Sequence, residues 1–547
     1  MPERILPFTA HVDSFARDNL PPLNEWPEMF FALPEFYYPQ RCNAGVELLD
    51  KAVARGWGGR ACIRFGKQIW TYADLLNRAN AIARVLTEDA GLKPGNRVLL
   101  RAANNPMMVA CWFAVIKAGG IAVTTMPLLR SRELVQIIDK AKIALALCDA
   151  RLAEDMEKAK DAAPACKDIL YFNTDAADGI EARMAKKPQG FENCPTSLTD
   201  IALIAFTSGT TGNAKGTMHF HRDILAICDA FPRYILQPNA DDIFTGSPPL
   251  AFTFGLGGLV TFPMRFGAST ALVEKGSPDA LPQIVQDHKA TILFTAPTAY
   301  RVMADNAPKS AFASLTKAVS AGEFLPKPIF EAWHDFTGIK LFDGLGATEM
   351  LHIFVSARQE DIIPGATGKA IPGYTACILD DEGNELPPGE VGRLAIRGAT
   401  GCRYLADPER QKAYVQKGWN LTGDAFRMDE NGYFWYQART DDMIVTAGYN
   451  VSGPEVEGAL LEHAKVKECA VVAAPDRDRG MVVKAYVVLR DMKDAGPDTI
   501  KALQDHVKAT IAPYKYPRAV EFVDALPRTE TGKVQRFKLR QQAAGKI

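Results

Sequence analysis

The densest concentration of chemistry in the sequence is Thr207-Ser208-Gly209-Thr210-Thr211-Gly212-Asn213-Ala214-Lys215-Gly216. Its glycines let backbone N–H groups converge on a phosphate, its four hydroxyls donate further hydrogen bonds, and Lys215 adds positive charge. A Walker loop places its lysine between a glycine and a Ser or Thr. Here Lys215 lies three residues beyond Gly212, so the P-loop kinase or ATPase reading fails. A flexible linker of this composition would not follow directly on the apolar run 201–206. The segment therefore reads as a strand feeding a phosphate-binding loop.

Such a loop needs a scaffold. Apolar runs at 97–100, 120–123, 143–147 and 201–206 have the length and continuity of buried parallel strands, and helical patterns at 72–86 and 132–140 lie between them. This alternation predicts an α/β architecture. The stretch 150–199 is more charged and reads as peripheral. Strands at 469–474 and 482–489, then a helix with Ile500, Leu503, Val507 and Ile511 on one face, predict a separate α+β unit at the end of the chain.

Composition bounds the function. The 547 residues suffice for a large core, and 63 basic against 64 acidic residues leave a net charge of −1. That balance argues against bulk attraction to nucleic acid or an anionic membrane. The ten cysteines are scattered, with no C-x-x-C, so a zinc or iron–sulfur site is not expected and the thiols read as reduced. The start, Met-Pro-Glu-Arg, has no apolar stretch of signal-peptide type, and Lys117 with Gly119-Gly120 interrupts the best membrane candidate, 107–126. A cytoplasmic protein is the expectation, with a homodimer left open.

Four further motifs follow the loop in order: Asp343-Gly344-Leu345-Gly346-Ala347-Thr348-Glu349; Leu421-Thr422-Gly423-Asp424; Arg439-Thr440-Asp441-Asp442-Met443-Ile444 with Ala447-Gly448-Tyr449-Asn450; and Pro527-Arg528-Thr529-Glu530-Thr531-Gly532-Lys533. Together they span nearly the whole chain. On these residues the sequence resembles the acyl-adenylate-forming superfamily of acyl- and aryl-CoA ligases, luciferases and peptide-synthetase adenylation domains. The resemblance implies a large adenylation domain of layered α/β subdomains, 1–440, and a small mobile α+β domain, 441–547, that turns about Asp441. It implies an enzyme in which a carboxylate attacks the α-phosphate of ATP, giving acyl-AMP and pyrophosphate, after which the thiol of coenzyme A displaces AMP.

Roles follow residue by residue from the resemblance. Thr207, Ser208, Gly209, Thr210, Thr211 and Lys215 would hold the outer phosphates, and Thr348 the α-phosphate. Glu349 would carry Mg²⁺, as suits a hard oxygen donor beside phosphate. Asp343 and Gly344 would line the adenine, and Asp424 with Arg439 the ribose. Lys533 would bridge carboxylate and phosphate, and the loop at Gly448 would approach the thiol channel after rotation. Two positions depart from the family pattern. Ala214 stands where a proline precedes the loop lysine, and Leu345 where many members place a tyrosine beside adenine.

The stretch Met350-Leu351-His352-Ile353-Phe354 and the run 249–257 resemble benzoate-CoA ligases, while 11–16, 24–27 and 217–223 resemble 2-aminobenzoate-CoA ligases. The acid pocket would then comprise Thr253, Phe254, Ala321, Gly346, His352 and Ile353. Small residues there leave room for a flat ring, and Phe254 can pack against it. His352 beside Ile-Phe also fits an ordinary core histidine. A medium-chain acid, a carrier protein in place of coenzyme A, and a catalytically idle nucleotide-binding protein are the competing readings. With no carrier domain after Lys533, coenzyme A is the expected thiol.

Overall fold

The computed structural model describes the whole chain except residues 1–4, 208–213, 440–443, 447–448, 477–479, 512, 530–531 and 546–547. Two large sheets form the body. The first runs, in spatial order, Asp168–Phe172, Leu145–Asp149, Arg97–Arg101, Ile121–Thr125, Ile201–Thr207 and Lys215–Phe220. Its members are parallel except the last, which folds back antiparallel on Ile201–Thr207 and pairs Thr207 with Lys215. Three of this sheet's four interior strands, Arg97–Arg101, Ile121–Thr125 and Leu145–Asp149, are buried at every position, as expected where helices cover both faces.

The second sheet has nine strands. Six, from Leu341–Gly346 through Lys317–Ala321, Ile292–Thr295, Ile243–Gly246 and Ser269–Ala271 to Ala61–Phe65, are parallel. Antiparallel strands close both edges: Gln68–Thr71 at one, Ile353–Ser356 and Lys369–Ala370 at the other. The apolar segment weighed as a membrane candidate resolves into the helix Pro106–Lys117, buried along its length, and the strand Ile121–Thr125. Among the described residues no helix is long and apolar enough to cross a membrane.

Most strands and helices read from the sequence are present, with shifts at their ends. The 143–147 strand begins two residues later, at Leu145, and the 72–86 helix is α-helical over Tyr72–Arg84, its start fixed by a capping box between Thr71 and Asp74. Residues 150–199 supply an edge strand and two short helices, yet Thr196, Ser197 and Thr199 at the end of that stretch are buried. An antiparallel sheet over 374–439, comprising Tyr374–Leu379, Val391–Gly398, Val415–Gln416, Trp419–Met428 and Phe434–Arg439, has no counterpart in the α/β pattern read from the sequence.

The last hundred residues form the small α+β unit: the hairpin Ile444–Thr446 with Tyr449–Val451, the sheet Val466–Asp476, Gly480–Leu489 and Ala519–Phe522, and helices Gly453–Leu461, Pro497–Thr510 and Arg536–Ala543. Its apolar clusters draw only on residues beyond 443, so this unit has cores of its own. The chain thus comprises a large N-terminal α/β body and a small C-terminal α+β domain.

Candidate active site

Strand ends assemble the site. Lys215 opens the strand opposite Thr207, and its Nζ lies 3.3 Å from Glu349 Oε1. Glu349 sits in the single turn Thr348–Met350 that follows the strand Leu341–Gly346. Tyr404 donates its hydroxyl to the same Oε1 at 2.6 Å. Behind this turn, His219 lies in a fully buried cluster. Burial pushes its imidazole down to about 4, so the ring is neutral and Nε2–H donates to the Thr348 carbonyl at 2.8 Å. Asp223 faces His219 Nδ1 at 4.0 Å and pairs with the buried Arg403 at 2.7 Å.

The backbone just beyond this turn is strained. Leu351 holds φ at 72°, a region β-carbon-bearing residues rarely occupy, at a cost of about 1–3 kcal/mol. The turn it makes separates Glu349, beside Lys215, from His352, beside Phe254. Such strain persists only where surrounding packing over-determines it, and Met350 and Leu351 are buried.

His352 and Phe254 form the other side of the site. Phe254 belongs to the short helix Thr253–Leu256, and its carbonyl lies 3.4 Å from His352 Nε2. Burial pushes the His352 imidazole down to about 3, again leaving it neutral. The ring centroids of Phe254 and His352 are 5.7 Å apart, Phe262 meets His352 edge-on at 4.4 Å, and Phe294 lies 5.7 Å from Phe254. Glycines permit this crowding. A β-carbon on Gly257 would fall 2.3 Å from His352 Cδ2, and one on Gly346 would fall 2.9 Å from the His352 backbone. Gly346 pairs with Ile353, and Ala321 pairs with Gly344, so Ala321, Gly344, Gly346, His352 and Ile353 converge on adjacent strand ends.

Asp343 lies beside Gly344 in the strand paired with Ser320. It is half-buried, and desolvation raises its carboxyl to about 8 despite hydrogen bonds from Thr367 and the Gly344 N–H. Asp424 pairs directly with Arg439 across the antiparallel sheet, although only the backbone of Arg439 is described. Lys533 is exposed in a turn closed by Thr529, whose N–H donates to the Lys533 carbonyl at 2.7 Å. This turn faces the body: Arg528, Lys533 and Arg536 bear electrostatically on Glu323, two residues beyond Ala321, and Thr298 donates to Glu323 at 3.3 Å. Ser208, Gly209, Thr210, Thr211, Asp441 and Gly448 lie outside the described residues. Tyr404, His219, Phe262 and Phe294 pack behind Glu349, Thr348, His352 and Phe254, and the motifs did not mark them.

This assembly can be set against known proteins. The AMP-binding enzyme family matches residues 50–403, and the AMP-binding enzyme C-terminal domain matches 455–533. The chain belongs to the AMP-binding enzyme family. It is 34% identical to the benzoate–CoA ligase of Thauera aromatica over 512 residues, covering 93% of this chain and 97% of that one. It is 30% identical to the 4-hydroxybenzoate–CoA/benzoate–CoA ligase of Rhodopseudomonas palustris, covering 92% and 95%. Among solved structures, the anthranilate CoA ligase AuaEII in complex with anthranoyl-AMP superposes with a TM-score of 0.89 at 31% identity, covering 94% of this chain and 99% of that one. This AMP-binding enzyme is therefore an AMP-forming acid–thiol ligase, with ATP, a carboxylic acid and coenzyme A as its substrates.

Proposed function

We propose that this ligase activates an aromatic acid, benzoate or 2-aminobenzoate, as the acyl-adenylate and transfers it to coenzyme A. The observation that supports this reading is the uncharged, aromatic surround of the expected acid-binding residues: half-buried Phe254 and neutral His352, backed by the buried Phe262 and Phe294. An uncharged aromatic surround suits a flat ring. The relatives named for benzoate and anthranilate support the same class.

In this reading a carboxylate oxygen attacks the α-phosphorus and pyrophosphate leaves. The coenzyme A thiol then attacks the acyl carbon, loses its proton, and AMP leaves. Both reactants of the first step are anions, so cations aimed at the transferring group are the main requirement. Lys215 and the Thr207–Thr211 segment would hold the outer phosphates, Thr348 the α-phosphate, Asp343 and Gly344 the adenine, and Asp424 with Arg439 the ribose. Lys533 would neutralise charge between carboxylate and phosphate. Thr253, Phe254, Ala321, Gly346, His352 and Ile353 would hold the acid.

The donor set suits Mg²⁺. Glu349 offers a single carboxylate whose contacts with Lys215 and Tyr404 both fall on Oε1, and no group of three His, Cys, Asp or Glu side chains is placed to hold a metal ion among the described residues. A hard cation that takes most ligands from phosphate and water needs no more. When bound, Mg²⁺ would neutralise charge on the phosphates. Residues 441–547, with their own apolar cores, would turn about Asp441 between the two half-reactions, withdrawing Lys533 and advancing Gly448.

Pyrophosphate release measured with benzoate, 2-aminobenzoate, hexanoate and acetate tests the substrate class. The expected kcat/KM for either aromatic acid exceeds that for hexanoate by at least tenfold. A preference for hexanoate contradicts the aromatic reading.

A further inference from the structure

We infer that Tyr404 is a positioning residue for Glu349, holding one carboxylate oxygen so that the other is presented to the metal–nucleotide. The inference rests on the reading of Glu349 as the metal-holding residue. Tyr404 is 2% exposed, and its hydroxyl donates to Glu349 Oε1 at 2.6 Å. Its backbone leaves it little freedom. The Tyr404 N–H donates to Gln411 Oε1 at 2.9 Å, and the Gln411 side-chain amide donates onward to the carbonyls of Glu25 and Cys402. The residues on either side lie against the strand that begins with Lys215: Leu405 N–H donates to the Gly216 carbonyl at 2.9 Å and Met218 N–H to the Arg403 carbonyl at 2.8 Å. The tyrosine is thus anchored to the strand that carries the phosphate-loop lysine.

A glutamate side chain has three rotatable bonds, and fixing it costs conformational entropy unless something already holds it. A hydroxyl does this without cancelling charge, whereas a second cation would weaken the carboxylate as a metal ligand. Both contacts to Glu349, from Tyr404 and Lys215, fall on Oε1. The arrangement is a preformed half-site: one oxygen is tied down, and the other is free of hydrogen bonds to the described residues.

The test is calorimetric titration of the full-length enzyme with α,β-methylene-ATP, with and without saturating Mg²⁺. The readout is the factor by which the metal tightens nucleotide binding. A hydrogen bond to a charged group supports about a tenfold effect. Tyr404→Phe is expected to lose about tenfold of that tightening while metal-free nucleotide affinity stays within twofold of wild type. Equal weakening with and without metal would mark a merely structural role and overturn the inference. So would unchanged metal tightening. Glu349→Gln separates the two levels of the argument: if it keeps the metal effect, the reading of Glu349 fails, and if it loses the effect while Tyr404→Phe keeps it, only the role of Tyr404 fails. Tyr404→Met, which fills the space without a hydroxyl, supplies the same comparison should the phenylalanine variant be insoluble.

Discussion

Glu349 and His352 stand three residues apart, yet Glu349 meets Lys215 and Tyr404 while His352 meets Phe254 and Phe262, and Leu351 between them holds a positive φ. The charged and uncharged halves of the site are thereby kept apart within one short segment. The neutral histidines behind and beside that segment have a measurable consequence. His219 titrates at about 4 in the folded chain and near 6.5 once unfolded. Between those values the unfolded chain binds more protons, so this contribution is complete above about pH 6.5 and is lost as pH falls toward 4. By pH 5 about 2 kcal/mol of it has been lost. Denaturant unfolding at pH 7.5 and pH 5 should show a smaller pH difference for His219→Gln than for wild type, and equal differences would contradict the assignment. The motif residues were legible in the sequence because their types and order are distinctive. Tyr404 was not, since a single tyrosine 55 positions from its partner carries no local signal.

At the scale of elements, the site depends on register. The pairings Thr207 with Lys215, Ala321 with Gly344, Gly346 with Ile353 and Asp424 with Arg439 each bring two expected site residues on neighbouring strands to one level. Buried parallel strands announce themselves as continuous apolar runs, which is why four of the first sheet's six strands could be read from the sequence, while Asp168–Phe172 and Lys215–Phe220 could not. The sheet over 374–439 could not. Its strands mix exposed and buried positions, as in Val391–Gly398, and the Val415–Gln416 strand is two residues long. The helix Pro106–Lys117 shows the opposite ambiguity, since an all-round apolar helix fits either a membrane or a core. Its one charge decides for a core: Lys117 is wholly buried and paired with Asp50, which Asn193 also contacts at 2.9 Å. Removing one partner of a buried pair strands the other charge. Asp50→Ala should therefore cost about 3 kcal/mol in equilibrium unfolding, and a loss below about 1 kcal/mol would show that water already reaches Lys117.

Across the whole molecule, the near-zero net charge conceals a local concentration of cations. Lys215 lies at the end of one sheet, and Lys533 with Arg528 and Arg536 approaches from the C-terminal domain toward Glu323. Arg490 adds a second link between the two parts, 3.6 Å from Asp305. Sequence composition averages over such local charge, and only the fold shows which carboxylate each cation meets. The central claim is that Lys215 and Lys533 serve attack of a carboxylate on the α-phosphorus of ATP. Benzoate and 2-aminobenzoate labelled with ¹⁸O in the carboxylate test it directly, by mass analysis of the nucleotide after turnover with coenzyme A. The account predicts AMP carrying one ¹⁸O atom and an aryl-CoA thioester. Unlabelled AMP, or ADP with labelled phosphate, would contradict it.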